Sequence, residues 1–149
     1  MQRALADFRA NGSLSMTSCF LSLIAQSQSG YYDEALVAID EALAVIEETG
    51  QRAFEAEVHR TKGELVLVHG ASNAIQAEQS FRTAIEIARR QKAKSWELRA
   101  TASLARLLRD TDRRDEARTM LAKIYNWFTE GFETADLKDA KALLDELNH

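Results

Sequence analysis

The sequence predicts an all-α protein whose antiparallel helix hairpins stack into a right-handed superhelix. Three observations lead there. The 149 residues include no proline and only 6 glycines, so helices meet few breaking points. Apolar residues recur at helical rather than strand spacing along the chain. A small–large–small pattern occurs strictly in two units and conservatively in a third. About seven helices and a C-terminal capping helix are expected, in one domain spanning 1–149.

Residues 2–10 form a short amphipathic helix with Leu5 and Phe8 on one face, ended by Asn11-Gly12-Ser13. A strongly apolar helix follows over 14–28, carrying Leu14, Met16, Cys19, Phe20, Leu23 and Ile24, and Gly30 breaks it. The next runs over 32–49, with Ala35, Leu36, Ile39, Ala42, Leu43 and Ile46 at helical spacing, and Gly50 stops it. A helix over 52–69 closes at His69-Gly70, and Ser72 or Asn73 can cap the one over 74–92. Ser95 begins a helix to 110 bearing Leu98, Ala102, Ala105 and Leu108. Asp112 suits the N-cap of a helix over 113–128, with Asp115 and Glu116 in its first turn, and Thr134 suits the cap of the last, over 135–147.

The repeat is the informative feature. Ala35, Ile39 and Ala42 share their spacing with Ala77, Phe81 and Ala84, and with Ala117, Leu121 and Ile124. The period is 42 and then 40 residues, with a two-residue insertion before Ala77. A small side chain lets two helices approach closely, and a large one a turn later fills the gap against the next pair. One hairpin cannot bury its apolar face alone, so hairpins stack. The units are repeat 1 over 14–50, repeat 2 over 52–93, repeat 3 over 95–128 and a capping helix over 134–147.

Gly30-Tyr31-Tyr32-Asp33-Glu34-Ala35 resembles the G-x-y-d-E-A turn of tetratricopeptide (TPR) units, with Gly63, Phe81 and Ala84 at matching positions of the second unit. HEAT-type repeats have a similar period, but this turn favours TPR. The stretches Glu55–Leu65, Phe81–Gln91, Ser95–Ala100, Ser103–Leu107 and Tyr125–Phe132 extend the likeness. Over about residues 14–147 the chain resembles the C-terminal TPR region of bacterial multidomain signalling proteins. Those are class III adenylate/guanylate cyclases, or helix-turn-helix transcriptional regulators, carrying an ATPase module. The resemblance implies a non-catalytic protein–protein interaction and signal-relay module. Its alternative is an effector-sensing domain that binds a small ligand, in a pocket of Phe20, Ile24 and Leu67 rimmed by arginines, to regulate the attached ATPase or cyclase. Three departures stand out. No proline closes a unit, Asp112 replaces a turn glycine, and the first helix of repeat 1 lacks a clear signature. Residues 1–12 read as the remnant of a preceding repeat, which points to a fragment of a longer protein.

Composition narrows the function classes. A single cysteine, Cys19, rules out a disulfide scaffold, and its apolar surroundings suit a buried thiol in a reducing cytoplasm. No apolar run reaches the ~20 residues that span a bilayer. The net charge of −4 divides as −5 over 1–50, +5 over 51–128 and −4 over 129–149, which does not suit nucleic acid. His59 and His69 lie about 15 Å apart along one helix, too far to share a metal, and His149 stands at the far end. No cofactor is implied, no phosphate-binding loop occurs, and Asp40, Glu41, Glu47 and Glu48 read as a solvated face.

In a TPR stack the first helix of each hairpin lines a concave groove. That register gives Thr17, Phe20, Ile24 and Ser27 in repeat 1. It gives Glu57, Arg60, Glu64 and Leu67 in repeat 2, and Arg99, Ala102, Arg106 and Arg109 in repeat 3. The three arginines fall within about 80° of one another at 100° per residue. Guanidinium forks suit carboxylates, so an acidic peptide or partner segment is the expected ligand. The competing reading is local pairing, such as Arg106 with Asp110. Trp127, Phe128 and Phe132 are expected to dock the final helix, the other option being an exposed partner site. Leu5, Phe8 and the apolar second helix, lacking a neighbour, predict homodimerisation through the N-terminal end.

Overall fold

The computed structural model describes residues 32–50 and 52–148. The expectations placed on residues 1–31 lie outside these, including the two N-terminal helices, Cys19 and the groove residues Phe20 and Ile24. Among the described residues the protein has six α-helices and no strand: α1 Tyr32–Thr49, α2 Glu55–His69, α3 Ala74–Arg90, α4 Lys94–Asp110, α5 Arg114–Tyr125 and α6 Ala135–Leu147. A single 3-10 turn, Ala71–Asn73, precedes α3 and falls where the two inserted residues were expected. The chain divides into two compact units, Met1–Ser80 and Phe81–His149, with the division inside α3.

In the first unit, α1 buries Ala35, Ala38, Ile39, Ala42 and Ile46. These form one core with Val58 and Leu65 of α2, flanked by Leu43, Val45 and Phe54. Three alanines on that face permit the close approach that the pattern requires. At the hairpin's mouth the Tyr32 ring stacks on His69, centroids 3.8 Å apart and 11° from parallel. Gly50, at φ +71°, ends α1 with its N–H donating to the Ile46 carbonyl at 2.8 Å. Helix α2 begins at Glu55, three residues later than the apolar pattern suggested, because Ala53 and Phe54 form a turn. Asn73 does not serve α3 as expected. Its Nδ2 donates back to the Val66 carbonyl at 3.1 Å, closing α2.

In the second unit α6 packs against both α4 and α5. All nine residues of the repeated pattern are buried, and each small member is the fourth residue of its helix: Ala35 in α1, Ala77 in α3, Ala117 in α5. Helix α4 starts at Lys94, and α5 ends at Tyr125 rather than reaching 128.

Two turns correct the capping scheme. Asp112 is not the N-cap of α5, a place taken by Arg113 without a side-chain cap bond. Asp112 instead adopts φ +62° and closes α4, with the next N–H, of Arg113, donating to the Leu108 carbonyl at 2.8 Å. Lys92, at φ +58°, does the same after α3, where Ala93 N–H reaches the Ala88 carbonyl at 2.9 Å. Both are Schellman closures, which place one residue in the left-handed region. A side chain there costs about 1–2 kcal/mol. Lys92→Gly and Asp112→Gly are therefore each expected to stabilise the protein by about 0.5–1 kcal/mol, after the added entropy of an unfolded glycine. The check is the denaturant midpoint, and a lower midpoint for both variants would contradict it.

Thr134 stands at the N-cap of α6 as expected, but its hydroxyl donates to the Gly131 carbonyl at 2.8 Å rather than to the helix. The far end of α6 is held by α5. Arg114 Nε donates to the Leu147 carbonyl at 3.3 Å and its Nη2 to the Glu146 carbonyl, while Arg118 Nη1 reaches Leu147 at 3.4 Å. Cationic donors at a helix C-terminus satisfy carbonyls that lack an intrahelical partner. Helix α6 buries Leu137, Ala140, Leu143, Leu144 and Leu147. Its outward face is polar, with Lys138, Asp139, Lys141, Asp145 and Glu146 exposed. Its own leucines thus dock it. Trp127 and Phe132, expected to do so, remain 57% and 42% exposed. Trp127 meets Phe128 edge-on at 5.1 Å and carries Lys94 Nζ 5.4 Å above its ring.

Candidate functional site

Helix α4 is enclosed on almost every side. From Glu97 to Leu108 every residue is buried except Arg99 and Arg106. These two lie seven residues apart, so their side chains leave the helix within about 20° of one another and about 10 Å apart along its axis. Arg109 follows one turn later, half-buried. Between Glu97 and Arg109 the solvent-facing positions of α4 are therefore three arginines, whereas Ala102, expected beside them, is buried.

The partners of these arginines differ. Arg99 Nη2 donates to Asp136 Oδ2 of α6 at 3.0 Å, with both side chains 33% exposed. Arg109 Nε donates to Asp110 Oδ1 at 3.0 Å, and its Nη1 reaches Glu146 Oε2 of α6 at 3.0 Å. The Asp110 hydrogen bond is the main cause raising the pKa of Arg109 above its ordinary value, burial opposes it, and Glu146 adds to it. Arg106 is exposed and makes no ion pair with a described residue. Local pairing thus exists, but it joins Arg109 rather than Arg106 to Asp110. Asp136 and Glu146 escaped the sequence reading because nothing in their spacing shows that α6 lies along α4.

On α2 the corresponding face is self-paired. Arg60 Nη2 donates to buried Glu57 Oε1 at 2.6 Å, and Arg60 Nη1 lies 3.8 Å from Glu64. Leu67 is half-buried. His59 is also half-buried. Burial holds its pKa below the usual histidine value, Lys62 acts in the same direction and Glu55 against it.

A recurring charged feature of the junctions was also missed. Glu55 and Glu97, 42 residues apart, are buried acids in the first turns of α2 and α4. Arg52 donates to Glu55 at 2.5 Å and to Glu47 at 3.0 Å. At the equivalent positions Lys94 lies 3.4 Å and Arg89 3.0 Å from Glu97. Extending the 42-residue register from Ala42 and Ala84 to these charges would have revealed the pairs. Thr101 Oγ1, fully buried in α4, has no hydrogen-bond partner among the described residues, an arrangement that costs about 1–3 kcal/mol.

Among the described residues no group of three His, Cys, Asp or Glu side chains is placed to hold a metal ion. No described helix is long and apolar enough to cross a membrane. Comparison of the chain with protein-family models, with curated proteins and with solved structures gave no match in any of the three.

Proposed function

We propose that the chain is a TPR-like helical-repeat module that binds a segment of another polypeptide and relays that binding, without catalysis, within a signalling protein. The repeat reading is supported by a buried small–large–small set in α1 and α3 and its conservative counterpart, Ala117, Leu121 and Ile124, in α5. It is also supported by α6 packing on both preceding helices of its unit, as successive helices of a solenoid do. The signalling context rests on the resemblance to the cyclase and regulator C-terminal regions alone.

The observation that carries the binding reading is the line of α4. Between Glu97 and Arg109 the helix presents only guanidinium groups to solvent, and one of them, Arg106, has no charge partner among the described residues. A planar fork with open donors suits a carboxylate or a run of peptide carbonyls.

The test is a peptide-library selection on the wild-type chain, followed by measurement on Arg106→Glu. Selected peptides are expected to lose about tenfold or more in affinity, a difference typical of a charge-assisted contact. Helicity should stay unchanged, since Arg106 is exposed and supports no buried group. Selected peptides that bind Arg106→Glu as well as wild type would remove the α4 line from the binding face.

A further inference from the structure

We propose that Asp136 and Glu146 set the charge specificity of this face, so that it takes a segment with a single carboxylate and rejects polyacidic chains. The inference rests on the α4 line being the binding face. It changes the expected ligand from an acidic segment to a nearly neutral one.

Arg99, Arg106 and Arg109 supply three positive charges, and Asp110, Asp136 and Glu146 supply three negative ones within the same contacts. Among these six side chains the charges balance. Arg99 is matched by Asp136 at 3.0 Å. Arg109 is held by two carboxylates, each at 3.0 Å. A second or third carboxylate on a ligand would have to displace these partners or lie beside them, and like charges side by side repel. At physiological salt the field of a closed pair fades within about 8 Å, so paired arginines exert little pull on an approaching anion.

The helix that carries both acids is firmly seated. Leu137, Leu143, Leu144 and Leu147 bury one face of α6, and Arg114 and Arg118 hold its last carbonyls. Asp136 lies in the first turn and Glu146 in the last, so the helix brackets Arg106 with one carboxylate towards each end. Arg106 is left as the guanidinium with open donors, sized for one acid.

The full chain is titrated with fluorescein-labelled octaglutamate, comparing wild type with Asp136→Asn/Glu146→Gln. Both ion pairs are at least a quarter exposed on each side, and pairs of this kind add little to stability, so the variant folds; thermal melts confirm it. The variant is expected to bind octaglutamate about tenfold or more tightly than wild type, with a steeper loss of affinity as salt rises. Equal affinities for the two proteins, or wild-type binding as tight as the variant's, would overturn the specificity inference. The face itself would stand if library-selected peptides still depend on Arg106. Addition of Arg99→Gln and Arg106→Gln to the variant should abolish the gain. A gain that survives them would put octaglutamate elsewhere and overturn the binding face as well.

Discussion

Phe81→Ala should destabilise the protein by about 3–5 kcal/mol, the range for emptying a fully buried aromatic site. Phe81 is 0% exposed and is the large member of its repeated set, between Ala77 and Ala84, also at 0%. Those neighbours have no side-chain length with which to collapse into the void, so the cavity term persists. Small domains retain only about 5–15 kcal/mol in total, so this one substitution removes a large share. Urea denaturation checks it, with a shifted midpoint and an unchanged slope. Phe81→Leu, which keeps most of the volume, should cost much less. A loss below about 1 kcal/mol for Phe81→Ala would mean that the site refills, and the wedge role of the large residue would be wrong.

A comparable loss is expected for Leu143→Asp. Leu143 is 4% exposed and sits midway along the buried face of α6. Removing a buried leucine costs about 2–5 kcal/mol, and a carboxylate without a partner at that depth adds to it. The cheapest escape is for α6 to leave its seat and hydrate the new charge. Amide exchange should therefore accelerate over 135–147 first. Retained protection of those amides would show that α6 is held by its arginine clamp rather than by its leucines. Because Asp136 and Glu146 leave with the helix, the same variant should also break the Arg99–Asp136 and Arg109–Glu146 pairs.

How far the sequence could be read follows from which forces act locally. The boundaries of α1 and α6 agree with the apolar period and with Gly50 and Thr134, because period and punctuation coincide there. The nine-residue pattern located the buried cores for the same reason: burial of Ala, Ile, Leu and Phe is written in each helix's own spacing. Caps were harder. Asp112 has the composition of an N-cap, yet the turn demanded a left-handed residue, and an aspartate tolerates that conformation better than a β-branched neighbour would. The aromatic cluster misled because Trp127 and Phe132 are apolar without being periodic, so nothing in their spacing fixed a buried side. Within the candidate site, the direction of Arg99, Arg106 and Arg109 was legible from 100° steps. Their partners Asp136 and Glu146 were not, because pairing across 37 residues depends on how α6 is laid down, which no local pattern records.

The outer surface of α6 bears on assembly. Five charged side chains on that surface would have to be stripped of water before any flat apolar edge could be laid against it, and that penalty rises steeply for unpaired ions. Association of an apolar surface with this face of α6 is therefore disfavoured. At high concentration the chain should not polymerise through this helix.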